Sequence, residues 1–116
     1  MRISPWLEVA DTTAALAFYE AAFGAESGER IVGDDGVVEV ANLRVGDADF
    51  WVQRDPAAPR GGPVRLILTV ADPDATFARA VAAGATVVNP VAEGHGWRVG
   101  RIVDPAGLHW EIGRPL

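Results

Sequence analysis

The stretch WLEVADTTAALAFYEAAFGAE, which begins at Trp6, returns in the second half of the chain as LILTVADPDATFARAVAAGAT from Leu66. Each copy runs from an apolar strand pattern through Val-Ala-Asp into an alanine-rich helical pattern, then stops at Gly-Ala. In the first, Asp11 with Thr12 and Thr13 offers caps to a helix over residues 12–22, whose Ala15, Leu16, Tyr19 and Phe23 form an apolar stripe ended by Gly24. Three strand candidates follow, ERIV, VVEVANLRV and DADFWVQ, separated by turns at Asp34-Asp35-Gly36 and Gly46-Asp47. In the second, RLILTV leads through Asp72 and Pro73 into a helix reaching Ala83, ended by Gly84. TVVNPV, the glycine-punctuated EGHGWRVGRIVD, a turn over Asp104-Pro105-Ala106-Gly107 and the strand LHWEIG complete it. Order, spacing and breakers match, so the chain reads as βαβββ twice.

The expected architecture is α+β: a first module over residues 1–54, an exposed Pro/Gly linker over 55–63, and a second module over 64–116, forming one compact domain. Each module has a helix on one face of its sheet and needs cover for the other. Placing the two uncovered faces together makes a concave, curved sheet with helices outside and a pocket within. With 116 residues the chain can build one ordinary core, or two half-domains sharing one.

Composition removes several function classes. There is no cysteine, so disulfides, thiolate metal sites and cysteine nucleophiles are excluded. A formal charge of −6 argues against nucleic acid and against anionic membrane surfaces as partners. No apolar run has the length of a signal peptide core or a membrane span, and a cytoplasmic protein is the expectation.

Strand alternation assigns the pocket side. It collects Ser4, Trp6 and Glu8; Asp49, Trp51 and Gln53; Arg65, Ile67 and Thr69; and His109 with Glu111. The opposite faces carry Ile3, Leu7, Val9, Phe50, Val52, Leu66, Leu68, Val70, Trp110 and Ile112, a set apolar enough to meet the helices. Trp6 and Trp51 share their faces with polar residues, the pattern of a lined cleft. With Trp97, three indoles can surround one cavity and stack on an aromatic ligand, although Trp6 or Trp97 could equally pack in a dimer interface. Arg65 and Glu111 are the charged pair of the inner faces, either bridged to each other, shared with a ligand, or solvated in a wide cleft. Asp11 and Asp72 need only capping to explain them, and Asp104 and Gly107 only the turn. Arg98 and Arg101 stand near the expected pocket mouth, where they could meet an anion, although solvated surface arginines are the commoner case.

The segments EVADTTAALAFYEAAFGAE, LTVADPDATFARAVAAGATVV and GRIVDPAGLHWEI, in this order, resemble the vicinal-oxygen-chelate superfamily over almost the whole chain. That superfamily includes glyoxalase I, extradiol dioxygenases, fosfomycin-resistance enzymes and bleomycin-resistance binding proteins. The chain is most similar to its small glyoxalase/bleomycin-resistance group, whose members are commonly homodimers, with pockets built within one chain or shared between two. The resemblance implies four metal-ligand positions, filled here by Ser4, Trp51 (within one residue), Arg65 and Glu111. Only Glu111 is a strong donor, and Arg65 brings a fixed positive charge. His109 and Glu111, two apart in one strand, could supply a His-x-Glu pair but no third ligand.

Two readings follow. The first is a metal-free, cofactor-free homodimeric binding protein, similar to the bleomycin-resistance type, that sequesters an aromatic small molecule with Trp6, Glu8, Trp51, Arg65, Trp97, His109 and Glu111. The alternative is a lyase, isomerase or dioxygenase of the same fold. It would use a divalent metal, or Glu111 or Glu8 as base with Arg65 stabilising an anion.

Overall fold

A computed structural model describes residues 1–116. The elements run β1 (Trp6–Val9), α1 (Thr12–Phe23), β2 (Glu26–Val32), β3 (Val38–Val45), β4 (Ala48–Arg54), β5 (Arg65–Thr69), α2 (Pro73–Ala82), β6 (Thr86–Gly94), β7 (Trp97–Val103) and β8 (His109–Pro115). They form two four-stranded sheets of the same topology, β1-β4-β3-β2 and β5-β8-β7-β6. In each, the first strand pairs parallel with the last and the others are antiparallel. The βαβββ repeat expected from the sequence is the fold.

The repeated Val-Ala-Asp does the same work at both ends of the chain. Val9 is buried, and the Asp11 carboxylate accepts the Ala14 backbone N–H, closing the first turn. Asp72 accepts from Ala75 in the same way, with Pro73 opening α2 where no intrahelical donor is lost. At the other end of α1, Gly24 takes a left-handed φ of 66° and donates to the Glu20 carbonyl. A side chain there would be strained.

Helix α1 packs on β3 and β4, α2 on β6, β7 and β8, and the two helices pack on each other. The buried set is concentrated in the first module, where Leu16, Phe18, Tyr19 and Phe23 of α1 are buried together with Leu43 of β3 and Phe50 and Val52 of β4. The second module contributes Ala80, Ile102, Trp110 and Ile112 to the same core. Trp110, expected in the core, is only 5% exposed and lies with its ring centre 4.9 Å from Phe23, 5.6 Å from Tyr19 and 5.7 Å from Phe50.

Asp104 does more than make a turn. It is buried, and its Oδ1 accepts the backbone N–H groups of Ala106 and Leu108. Its Oδ2 accepts Trp110 Nε1 at 2.8 Å and the Tyr19 hydroxyl at 2.6 Å, so the closing turn of one module is bonded to the helix of the other. Ile3 departs from expectation in the opposite sense. β1 begins at Trp6, and Ile3 is 94% exposed at the rim of a groove of about 310 Å³ between the modules, floored by Phe50, Leu66, Leu68 and Trp110. Pro5 has no N–H to extend the ladder, so pairing starts one residue later.

Burial, then the negative field and hydrogen bond of Asp104, raise the Tyr19 hydroxyl far above the ordinary tyrosine value near 10. Tyr19 is the single tyrosine and the chain has no lysine, which leaves its alkaline titration uncluttered. The unfolded chain loses that proton near pH 10 while the folded chain keeps it, so stability should fall above about pH 10 by roughly 1.4 kcal/mol per pH unit. Denaturation midpoints measured on either side of that pH should show the fall in the parent protein and none in Tyr19→Phe. Phenolate absorbance appearing at the ordinary pH without unfolding would contradict it.

Candidate functional site

The inner face of the first sheet is built around stacked indoles. Trp6 and Trp51 are Cα partners across the parallel β1–β4 pair, and their rings lie 5.6 Å apart with 20° between planes. Trp6 Nε1 donates to Gln53 Oε1 at 2.9 Å, which fixes the orientation of its ring. Trp6 is nevertheless 52% exposed, an uncommon state for so large an apolar group. Glu8, on the same face, is exposed and makes no ion pair.

Beside the indoles lies a polar network that the sequence only partly announced. Asp49 Oδ2 accepts from Asn42 Nδ2, its Oδ1 accepts from Ser4 Oγ, both at 2.9 Å, and Arg2 Nε stands 3.5 Å from Oδ1. Hydrogen bonds from Asn42 and then Ser4 hold the Asp49 carboxyl below the usual carboxylate range, helped by Arg2 and Arg44. Alternation put Ser4 and Asp49 on the pocket side. The part of Asn42 follows from the β3–β4 register, which places it opposite Trp51.

The inner face of the second sheet is different. Arg65 and His109 are Cα partners, as are Ile67 and Glu111, and Arg101 and Glu111. Arg65 Nε lies 3.2 Å from Glu111 Oε1, so the bridged alternative is the one present. Arg65 is about half exposed, and such a pair contributes no more than about 1 kcal/mol to stability. Next to Glu111, a depression of about 300 Å³ is lined by Ile67, Gly94, His95, Trp97 and Val99. His95 occupies the β6–β7 turn with φ 54°.

Trp97 therefore belongs to the second face and the Trp6–Trp51 pair to the first; within the chain the three indoles do not line one depression. Arg98 is corrected. It pairs with Gly94's neighbour Glu93 and projects away from the inner face, with Nε and Nη2 each 2.7 Å from Asp74 at the start of α2. Strand alternation from Trp97 through Val99 to Arg101 requires that outward direction.

The fold implies a metal, and the donors present do not fit one. Of the four ligand positions, Ser4 is committed to Asp49, Trp51 offers no lone pair, Arg65 is a cation, and Glu111 is bonded to that cation. No three side chains of His, Cys, Asp or Glu come together anywhere in the chain as a ligand set.

Comparison with known proteins agrees with this architecture. The glyoxalase-like domain matches residues 6–113, and the chain belongs to that family, within the vicinal-oxygen-chelate superfamily. An uncharacterised protein of Mycobacterium bovis is 38% identical over 126 aligned positions, spanning 98% of this chain and 83% of that protein. TioX from Micromonospora superposes with a TM-score of 0.81 at 28% identity, covering 100% of this chain and 99% of its own. The fosfomycin resistance protein FosX of Listeria monocytogenes gives a TM-score of 0.80 at 14% identity over 100% of this chain and 93% of its own, which shows a shared fold.

The two tryptophans on opposite sheet faces should respond differently to truncation. Trp110→Ala removes a packed ring and leaves Asp104 short of a donor, and should cost about 3–5 kcal/mol. Trp51→Ala, on an open face, should cost less than about 1.5 kcal/mol. Denaturant midpoints of the two variants separate core from cleft wall; equal losses would contradict the assignment.

Proposed function

We propose that this protein binds an aromatic-containing small molecule, holding it without a metal in a cleft walled by tryptophan. The observation that carries this reading is the pairing of Arg65 with Glu111 at the ligand positions of the superfamily, where a cation would meet a guanidinium already in place. Aromatic walls supply the positive side of the argument. The Trp6–Trp51 stack on one face and Trp97 on the other present indole surface that folding leaves uncovered.

A cleft closed on both sides is best supported as the product of two chains. The modules of one chain join through their helices and Asp104, and β1 and β5 each stand at the edge of a separate sheet. The molecule is elongated, 47 × 30 × 25 Å, and leaves Trp6, Arg65 and Ile67 all more than half exposed. In a homodimer, the indole face of one chain lies against the Arg65–Glu111 face of its partner and both are covered. Sequestration of an aromatic natural product, as in bleomycin resistance, is the role that suits such a cleft. Base catalysis is less well supported, because Glu111 is engaged by Arg65 and Glu8 stands exposed to solvent, without the apolar burial that would raise its basicity.

Purified protein made without an affinity tag should carry well under one equivalent of zinc, nickel, manganese or iron per chain. Chelation should change neither its melting temperature nor its binding of aromatic probes, because no metal binding energy is coupled to the fold. Near-stoichiometric metal, lost with function on chelation, would overturn the reading. Aromatic probes should quench tryptophan fluorescence saturably, and Trp51→Ala should weaken that binding by about 1–3 kcal/mol. An affinity unchanged by Trp51→Ala removes that indole from the cleft.

A further inference from the structure

Two polar atoms of the second inner face have no partner. Arg101 Nε and His109 Nδ1 are both shut off from solvent, and neither makes a hydrogen bond within the chain. Arg101 also takes part in no ion pair, although its Cα partner on β8 is Glu111. Buried polar groups are almost always bonded. The outer nitrogens of the same side chains, Arg101 Nη1 and Nη2 and His109 Nε2, are also unbonded within the chain but open to solvent, and these are the atoms that a group from outside can reach.

The register says what kind of group. β8 runs between β5 and β7, so Arg65 flanks His109 from one side while Arg101 flanks Glu111 from the other. Arg65, paired with Glu111 from one side, and Arg101, opposite Glu111 on the other, thus bring two guanidinium groups to the strand that carries His109 and Glu111, on a chain whose overall charge is −6. Glu111 answers Arg65 and leaves Arg101 unanswered. Such a face repels cations and has donors to spare. Planar forked donors match the two oxygens of a carboxylate. Beside Glu111, Ile67, Trp97 and Val99 form the apolar side of the depression of about 300 Å³.

We propose that the ligand is an aromatic carboxylate, its ring seated against Trp97 and Ile67 and its carboxylate received by the solvent-open Nη groups of Arg101 and by His109 Nε2, with Arg65 completing the positive field. This rests on the small-molecule reading of the cleft and specifies the charge of the ligand and the residues that read it.

Three probes separate the two ideas: naphthalene-2-carboxylate, naphthalene-2-methanol and cyclohexanecarboxylate, each titrated calorimetrically into the full-length protein. The aromatic carboxylate should bind about tenfold or more tighter than the alcohol. Arg101→Gln should remove about that factor for the carboxylate and leave the alcohol unchanged, while Glu111→Gln should tighten the carboxylate severalfold by withdrawing a competing charge. In the parent protein, the Arg101 Nε–H resonance should shift on titration with the carboxylate and not with the alcohol, a readout that stands even if a variant folds poorly. Equal affinity for carboxylate and alcohol, with that resonance unmoved, overturns the anion inference and leaves the aromatic cleft intact. Equal affinity for both carboxylates, each weakened by Arg101→Gln, overturns the aromatic cleft and leaves the anion site. Absence of binding by all three overturns both.

Discussion

The fold depends on one buried carboxylate. Asp104 holds its own turn through two backbone N–H groups, then receives Trp110 from its own module and Tyr19 from the other. Its bonds to Tyr19 and Trp110 lie where water does not compete, so each is worth more than a surface contact and leaving one unmade is costly. The aromatic cluster of Tyr19, Phe23, Phe50 and Trp110 packs around this point and joins the modules by their helix sides. Fixing the modules in that way determines what is left open. The inner faces of both sheets are held outward from the joint, and the functional surface is what this arrangement does not cover.

Those two faces carry different chemistry although their strands descend from the same pattern. The first offers stacked indoles and a carboxylate fully engaged by Ser4, Asn42 and Arg2. The second offers guanidinium and imidazole groups with bonds still to make. A ligand with an aromatic body and an anionic end uses both kinds of surface. A metal ion can use neither, since the only strong donor on the ligand positions already answers Arg65. Binding energy in such a cleft comes from ring burial, and orientation comes from the charge.

Much of this was legible in the chain. Val-Ala-Asp recurring before Gly-Ala located both helices and both caps, because a capping carboxylate and a left-handed stop leave a short-range signature. Alternation placed Trp6 with Trp51 and Arg65 with Glu111, because period two is all that a strand needs to sort its faces. What the chain did not disclose was of longer range. The Tyr19–Asp104 bond joins residues 85 apart, and local reasoning could see in Asp104 only a turn. Trp97 was grouped with the other indoles from its place in the glycine-punctuated segment before the closing turn, a position that does not say which sheet face it joins. Arg101 looked like one more surface arginine until the β7–β8 register set it beside Glu111 with nothing to bond.

In our proposal, the indole face of one chain and the basic face of another make one cleft. Mixing two binding-deficient proteins, Trp51→Ala and Arg101→Gln, under conditions that exchange subunits tests it most directly. If the faces are shared, half of the random dimers carry one doubly altered cleft and one intact cleft. Calorimetry with naphthalene-2-carboxylate should then recover parental affinity at about a quarter of all sites. Recovery at no site, with subunit exchange verified, would show that each cleft is built within a single chain and would contradict the account.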